Sequence, residues 1–217
     1  MKLAIYGTGG SGKEIYDMII SDDSLRYRLN DLIFINDYGV KEFKGCKVFS
    51  FNEFCENFAI FEAEVVIAVG EPSDRKKIYE RVKGQGYKLA TLISSHVYFG
   101  TGISLGEGVI LKNNTQISSD AIIGDNVFME GECIIGHDVV IGSHSQISSY
   151  SIVCGQTHVG EETFIGVSAS VRDDIKIGRN SIIAMGAVVM KDVPDYCTVM
   201  GNPARVIAKG TDNKVFS

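Results

Sequence analysis

The sequence predicts two structural units, a small α/β unit of the Rossmann-like half type over residues 1–90 and a parallel β-helix over residues 91–217. Two observations support this division. An apolar residue recurs at every sixth position from Ile93 onward, and this spacing is absent before Ile93. Near the N-terminus, a glycine-rich loop separates an apolar run from a segment with helical spacing. Only the second region carries the six-residue repeat, which indicates two domains.

The six-residue period is the stronger of the two observations. Seventeen consecutive positions of this period, from Ile93 to Val189, are all apolar. Neither an α-helix nor a two-sided strand has a period of six, whereas a strand that turns every six residues does. Each short strand then points one side chain into a narrow prism. The pattern therefore predicts short parallel strands wound into a β-helix.

A second period of eighteen residues is superimposed on the first. Eighteen is three sixes, so three strands make one triangular coil with a glycine at one corner. Positive φ or close approach of two backbones would require glycine there. Each coil buries few side chains, so neighbouring coils must stack to form a core. The glycines of this period are Gly106, Gly124, Gly142, Gly160 and Gly178.

The first ninety residues follow an α/β pattern. The apolar runs LAIYG, LIFIND and EVVIAVG predict three strands, and KEIYDMII and DRKKIYERVKGQG predict two amphipathic helices. The order β-loop-α-β-β-α is typical of a small parallel unit. Its length is about half that of a complete dinucleotide-binding fold.

The glycine loop IYGTGGSGKE matches two phosphate-binding motifs. Gly7, Gly9 and Gly12 fit the dinucleotide pattern, and Gly12 with Lys13 also fits the NTPase pattern. Glu14 stands where an NTPase needs a magnesium-binding hydroxyl, and no second nucleotide-binding half follows, so both of these activities are disfavoured. Two interpretations stay open: a helix N-terminus that binds a nucleotide diphosphate, or a turn that only packs the helix on the strand.

Composition excludes several classes of function. The net charge of −6 disfavours a nucleic-acid partner. No apolar run approaches the roughly 18 residues of a membrane helix, and the opening residues are typical of a buried strand, so we expect no membrane insertion and no signal peptide. Five cysteines without a C-x-x-C pair disfavour a disulfide framework and a structural zinc site. A reducing, cytoplasmic location is therefore expected.

The segment CIIGHDVVIG contains the candidate catalytic pair, His137 and Asp138. Histidine is the simplest base near neutral pH, and an adjacent carboxylate can select its tautomer and raise its basicity. The alternative is that His137 is only a solvated corner residue. A zinc site built from His137, His144 and His158 is disfavoured, because ligands on one face would be separated by multiples of eighteen residues and these are separated by seven and fourteen. His144 and His158 are expected to be exposed polar residues, and no metal is expected.

Three segments together resemble the PglD- and NeuD-like sugar acyltransferases: IYGTGGSG, GHDVVIGSHSQISSYSIVCGQTHVGEETFIG and VPDYCTVMGNPARVIAKG. The resemblance implies a left-handed hexapeptide-repeat β-helix and a homotrimer that binds acetyl-CoA between adjacent subunits. It also implies N-acetylation of a nucleotide-linked amino sugar held by the N-terminal unit. O-acetylation of sialic acid or a related sugar is the first alternative, and a non-catalytic β-helix that binds nucleotide sugars is the second.

The resemblance also implies roles for individual residues. His137 matches the general base and Asp138 its carboxylate partner. The backbone N–H of Gly155 is expected to face the thioester carbonyl. The other positions expected to contact acetyl-CoA are Gln146, Val167 and Met185. The positions expected to contact the nucleotide sugar are Gly9, Gly10, Ser11, Asn36, Asp37, Gly70 and Glu130.

Three of these positions depart from the family pattern. Many relatives have histidine where Ser11 stands, and PglD-like members have asparagine and histidine where Glu130 and Gln146 stand. Two interpretations of Glu130 are open: an extra carboxylate that holds the amine of the acceptor, or a surface residue. All three positions are expected near the reaction centre, so the identity of the acceptor sugar does not follow from the resemblance.

Overall fold

The computed structural model describes residues 1–25, 27, 29–210 and 214–215, apart from the side chain of residue 29. Its N-terminal unit is a six-stranded sheet of order β3-β4-β2-β1-β5-β6, parallel except for the β3–β4 pair. A short 3-10 helix precedes β2. The elements are β1 (Lys2–Tyr6), α1 (Gly10–Ser21), the 3-10 helix (Leu29–Asp31), β2 (Leu32–Ile35), β3 (Glu42–Phe43), β4 (Cys46–Phe49), α2 (Phe51–Asn57), β5 (Ala63–Ile67), α3 (Pro72–Gly84) and β6 (Lys88–Leu89).

The predicted strands and helices of this unit are present, and the structure adds β3, β4, α2 and β6 to them. Helix α2 begins with a capping box. The Ser50 hydroxyl accepts a hydrogen bond from the Glu53 backbone N–H, and the Glu53 carboxylate accepts one from the Ser50 backbone N–H. The spacing S-x-x-E at 50–53 is the sequence signal that would have revealed this helix.

Seventeen two-residue strands, β7 to β23, form the β-helix and confirm the predicted fold class. The first face contains β7 (Leu92–Ile93), β10 (Ile110–Leu111), β13 (Phe128–Met129), β16 (Gln146–Ile147), β19 (Phe164–Ile165) and β22 (Ile182–Ile183). The second contains β8 (Tyr98–Phe99), β11 (Gln116–Ile117), β14 (Ile134–Ile135), β17 (Ile152–Val153), β20 (Ser170–Val171) and β23 (Val188–Val189). The third contains β9 (Ser104–Leu105), β12 (Ile122–Ile123), β15 (Val140–Ile141), β18 (His158–Val159) and β21 (Lys176–Ile177). Two longer strands, β24 (Cys197–Met200) and β25 (Arg205–Lys209), extend the first face.

The second residue of each two-residue strand is the apolar position of the six-residue period. From Leu111 to Val189 every one of these side chains is buried. Phe99, in the first coil, is 37% exposed instead. The first coil has a neighbouring coil on one side only, so its inward position is less enclosed.

The corner between the third and first faces explains the eighteen-residue glycine period. None of its five glycines has positive φ. A Cβ at each would lie 2.3–2.7 Å from an atom of the next coil, so close approach of the coils is what requires glycine. The left-handed conformation is adopted at a different position of the turn, once in nearly every corner. Examples are Asn114, Asp120, Asn126 and Asp138.

The N-terminal unit covers the outer side of the first face. Leu92, Ile110 and Phe128 point away from the prism and pack in one apolar cluster with the α1 side of the sheet. The fully buried Arg75 of α3 donates to the backbone and side-chain oxygens of Asn126 at 2.7 Å. The second face is open by comparison. No helix in the described part of the chain is long and apolar enough to span a membrane.

Candidate active site

His137 lies at the corner between the second and third faces, two residues after the end of β14. Its Nδ1 is 2.7 Å from Oδ2 of Asp138. This contact makes Nδ1 the protonated nitrogen and leaves Nε2 available to act on a substrate. The His137 side chain is 62% exposed in the single chain. The pair is therefore oriented but open on its outer side.

Gly155 lies one coil below His137. A Cβ at Gly155 would be 2.7 Å from Nε2 of His137, so the absence of a side chain is what allows the imidazole to lie on this coil. The Gly155 N–H donates to Oδ1 of Asp173 at 3.1 Å. The same kind of contact joins Thr101 to Ser119 on this corner. The Gly155 N–H, which is expected to face the thioester carbonyl, is therefore hydrogen-bonded to a side chain of its own chain.

Val167 and Met185 lie at a different corner, between the first and second faces. They occupy equivalent positions in successive coils, and their exposed fractions are 44% and 76%. One chain therefore does not bring these two side chains to His137. The groove that the resemblance assigns to them needs a second surface.

Glu130 and Gln146 lie on the covered first face, also away from His137. Glu130 forms an ion pair with Lys112, which contacts Oε2 of Glu14 in α1 at 2.8 Å. Glu130 is not a freely solvated surface residue, because only 16% of its side chain is exposed. Nor is its charge free, since Lys112 neutralises it. The Gln146 Nε2 donates to Glu130 at 3.4 Å, and its buried Oε1 has no hydrogen-bond partner within the described structure.

Lys112 holds its proton firmly in this network. Burial of the ammonium group favours the neutral form, but the hydrogen bonds to Glu130 and Glu14 outweigh burial and raise the pKa of Lys112. The cation therefore links the first helix of the N-terminal unit to the β-helix beneath it.

The glycine loop divides into packing glycines and open glycines. Gly7 has φ +125°, and a Cβ on Gly12 would lie 2.2 Å from the Gly7 carbonyl oxygen, so both are required by the backbone. At Gly9 and Gly10 a Cβ would meet no atom within 4 Å. No side chain caps the N-terminus of α1 at Gly9. This open helix end has the backbone N–H groups that an anion requires.

A cavity of about 520 Å³ lies beside this loop, at the carboxyl ends of β1, β2 and β5. The strand order reverses about β1, which is where open parallel sheets bind ligands. Half-buried Ser11 lies in the first turn of α1, and Gly70 follows Val69 at the cavity wall. The lining residues are Tyr6, Gly7, Ile35, Asn36, Asp37, Tyr38, Val69, Asp74, Lys77, Ile78, Arg81 and Lys214.

Two polar side chains in this cavity are held by their own chain. The Asn36 amide donates to the Thr8 hydroxyl at 2.7 Å. The Asp37 carboxylate accepts hydrogen bonds from the Tyr6 hydroxyl, Arg81 and the Phe51 backbone N–H. Burial raises the pKa of Asp37, but these hydrogen bonds together outweigh it and hold that pKa below its usual value. Asp37 is therefore an ionised, fixed group.

The histidines do not form a metal site. Within the described residues, no three or more His, Cys, Asp or Glu side chains are grouped so as to hold a metal ion. His158 is exposed as expected. The expectation for His144 is wrong, because its side chain is buried, its Nδ1 lies 3.1 Å from Nδ2 of Asn126, and its ring packs on Tyr79. The period alone did not reveal that α3 covers this corner.

Comparison with known proteins agrees with this fold. Residues 2–82 match the family model of the PglD N-terminal domain, and residues 156–191 match that of the bacterial transferase hexapeptide with six repeats. WeeI from Acinetobacter baumannii is 27% identical, with a TM-score of 0.89 over 95% of this chain and 100% of that one. No match was found among curated proteins.

Two further solved structures have the same fold. The acetyltransferase domain of PglB from Neisseria gonorrhoeae, in complex with acetyl coenzyme A, is 26% identical, with a TM-score of 0.84 over 95% of this chain and 98% of that one. A perosamine N-acetyltransferase mutant from Caulobacter crescentus, bound to CoA and GDP-perosamine, is 22% identical, with a TM-score of 0.86 over 96% and 98%. The predicted resemblance of this chain to the PglD- and NeuD-like sugar acyltransferases is thereby confirmed.

Proposed function

We propose that this protein transfers the acetyl group of acetyl-CoA to the amino group of a nucleotide-linked amino sugar. The observation that carries the proposal is the His137–Asp138 pair, with its free Nε2 lying over Gly155 on an exposed corner of the β-helix. The similar PglB domain, which binds acetyl coenzyme A, supports the choice of donor.

In this mechanism the amine nitrogen attacks the thioester carbon while Nε2 of His137 accepts a proton from the amine. The Asp138 carboxylate holds the opposite N–H and stabilises the imidazolium. The C–N bond forms, the C–S bond breaks, and the proton passes from His137 to the departing CoA thiolate. No covalent intermediate with the protein is needed.

The oxyanion of the tetrahedral intermediate needs a hydrogen-bond donor. The Gly155 N–H is the donor that the resemblance implies, and such a contact stabilises the transition state by up to a few kcal/mol. In this structure Asp173 occupies that N–H. Our proposal therefore requires Asp173 to release the N–H when acetyl-CoA binds.

The two domains have separate tasks in this proposal. The unit over residues 1–90 binds the acceptor, with its diphosphate at the open Gly9–Gly10 end of α1 and its nucleoside in the adjacent cavity. The β-helix over residues 91–217 binds acetyl-CoA. All five cysteines are unpaired, which fits the proposed cytoplasmic location.

The complete site is proposed to form between copies of the chain. His137 and the pair Val167–Met185 lie at opposite edges of the second face, so a neighbouring copy has to bring the second set to the first. The outer side of the second face carries the exposed side chains of Tyr98, Ile134 and Ile152. A neighbouring copy that covers them would remove this apolar surface from water, which favours association. A closed ring of three copies repeats this contact without leaving an open end.

A direct assay tests the proposal. The purified protein is incubated with acetyl-CoA and a panel of UDP-, dTDP- and GDP-linked amino sugars, with sialic acid as a separate arm, and products are identified by mass spectrometry. We expect an alkali-stable amide on one amino sugar and a turnover roughly 10²–10⁴-fold lower for His137→Ala. An alkali-labile ester on sialic acid would instead indicate O-acetylation. Wild-type turnover in His137→Ala would refute the mechanism.

A further inference from the structure

We infer that Lys214, in the C-terminal segment, is a phosphate-binding residue of the acceptor cavity. The inference rests on the proposed function, in which the nucleoside lies in this cavity and the diphosphate lies where the cavity meets the glycine loop. It adds a cation from the end of the chain to a site otherwise built by the first ninety residues. Lys214 lines the cavity together with Gly7, at the start of the glycine loop.

The last described residues of the chain lie against the unit that holds this cavity. Strands β24 and β25 are the last strands of the first face, and that face also carries the N-terminal unit. The chain leaves the β-helix at the end of this face farthest from β7. Its backbone then contacts that unit, because the Val215 N–H donates to Oε2 of Glu71 at 2.8 Å.

The receiving end of this contact is rigid. Glu71 is buried, and it precedes Pro72, the first residue of α3. Arg75 binds the carbonyl oxygens of Ile67 and Val69 as well as Asn126. The hydrogen bond from Val215 therefore anchors the residue next to Lys214 to the start of α3, a helix that lines the cavity.

The charges of the cavity explain why this cation matters. Arg81 is paired with Asp37 at 2.6 Å, and Lys77 with Asp74 at 2.9 Å, so the four other charged lining residues cancel in pairs. Lys214 has no carboxylate partner among the residues that the structure describes. It is therefore the cavity cation available to a phosphate, which an ammonium group binds as a point charge.

The test compares two lysine variants of the full chain. Lys214→Met removes the proposed contact, and Lys209→Met removes another exposed lysine, which lies in β25 and does not line the cavity. Calorimetry measures the dissociation constants of UDP, GDP and dTDP, and separately that of acetyl-CoA, at low and moderate salt. For the nucleotide that the wild type binds, we expect Lys214→Met to raise the dissociation constant roughly three- to tenfold at low salt, and less at higher salt.

The matched outcomes separate this inference from the proposed function. Lys209→Met is expected to bind like the wild type, and both variants should retain acetyl-CoA affinity. Equal nucleotide affinities for Lys214→Met and Lys209→Met would overturn the role of Lys214 while leaving the acceptor site in place. If the wild type binds none of the three nucleotides and acetylates no nucleotide sugar, both proposals are overturned.

Discussion

At the scale of single residues, the catalytic proposal depends on Gly155, which has no side chain to displace the His137 ring. The nearest atoms to a Cβ there all belong to the exposed imidazole of His137, not to the backbone. We expect Gly155→Ala to displace the ring and to lower turnover by roughly 10²-fold or more, because general-base catalysis requires accurate positioning. Its melting temperature should stay near that of the wild type. Turnover measured on folded protein checks this.

Gly136→Ala is the matched control for this variant. A Cβ at Gly136 would lie 2.5 Å from the backbone nitrogen of Gly155, so the coils themselves would have to separate. This variant should lose stability, seen as a lower melting temperature. A Gly155→Ala enzyme with full activity would contradict the proposed position of the base.

The loop offers a second residue-scale prediction. Gly10→Val is expected to weaken nucleotide-sugar binding and to spare acetyl-CoA binding, since the new side chain enters open space at the proposed diphosphate position. Affinities measured separately for the two substrates check this. Gly12→Val should instead impair folding, because its Cβ would overlap the Gly7 carbonyl. Equal losses of both affinities in Gly10→Val would contradict the division of tasks between the domains.

At the scale of elements, the contact of α3 with one corner of the β-helix holds the two units together. Arg75 caps the carbonyl oxygens at the end of β5 and those of Asn126, and Lys76 pairs with Glu162 at 2.7 Å. Buried His144 completes the contact. The proposed acceptor cavity is therefore lined by a helix that is fixed to the β-helix.

This contact predicts a pH dependence of stability. Burial lowers the pKa of His144, with Lys76 and Arg75 acting in the same direction and Glu162 opposing them. An unfolded histidine has a pKa of about 6.5, so below that pH the unfolded chain binds the proton more readily and stability falls. Urea unfolding at pH 8 and pH 5 should show a smaller loss for His144→Gln than for the wild type. An equal loss in both would contradict this role.

The sequence predicted the repetitive elements far better than the contacts between the units. Seventeen apolar positions identified all seventeen short strands, because each coil repeats the same local requirement. The corner that buries His144 has the same spacing as the exposed corners, so only tertiary contact with α3 distinguishes it. The pairing of Glu130 with Lys112 was also missed, although the two are eighteen residues apart and the period places them in neighbouring coils. His137 beside Asp138 was predictable because the two are adjacent in the chain, whereas the Asp173 contact spans a coil.

At the scale of the whole molecule, we expect a homotrimer with three equivalent sites. One chain holds His137 at one edge of the second face and Val167 with Met185 at the other, so no single copy assembles the proposed donor groove. Sedimentation should give about three times the 23.6 kDa chain mass. Full activity in a protein that is monomeric at micromolar concentration would contradict the shared site.

Mixed assemblies give a sharper measurement of the same prediction. Chains with His137→Ala are combined with chains that carry Met185→Glu, which places a charge at the proposed donor groove. Each variant alone should be nearly inactive. Co-refolded mixtures should regain part of the activity if each site uses the base of one copy and the groove of its neighbour, and none if every chain works alone.

The three-strand coil also limits how the chain can change in length. Every position advances to the next face after six residues and returns to its own face after eighteen. A deletion of six residues between His137 and Val167 would carry the whole downstream surface around the prism, so that the groove residues would face the wrong neighbour. A deletion of eighteen would only shorten the prism by one coil and preserve every face. The length of this domain can therefore change without rotating its faces only by whole coils, and an insertion that is not a multiple of six residues has to protrude at a corner as a loop.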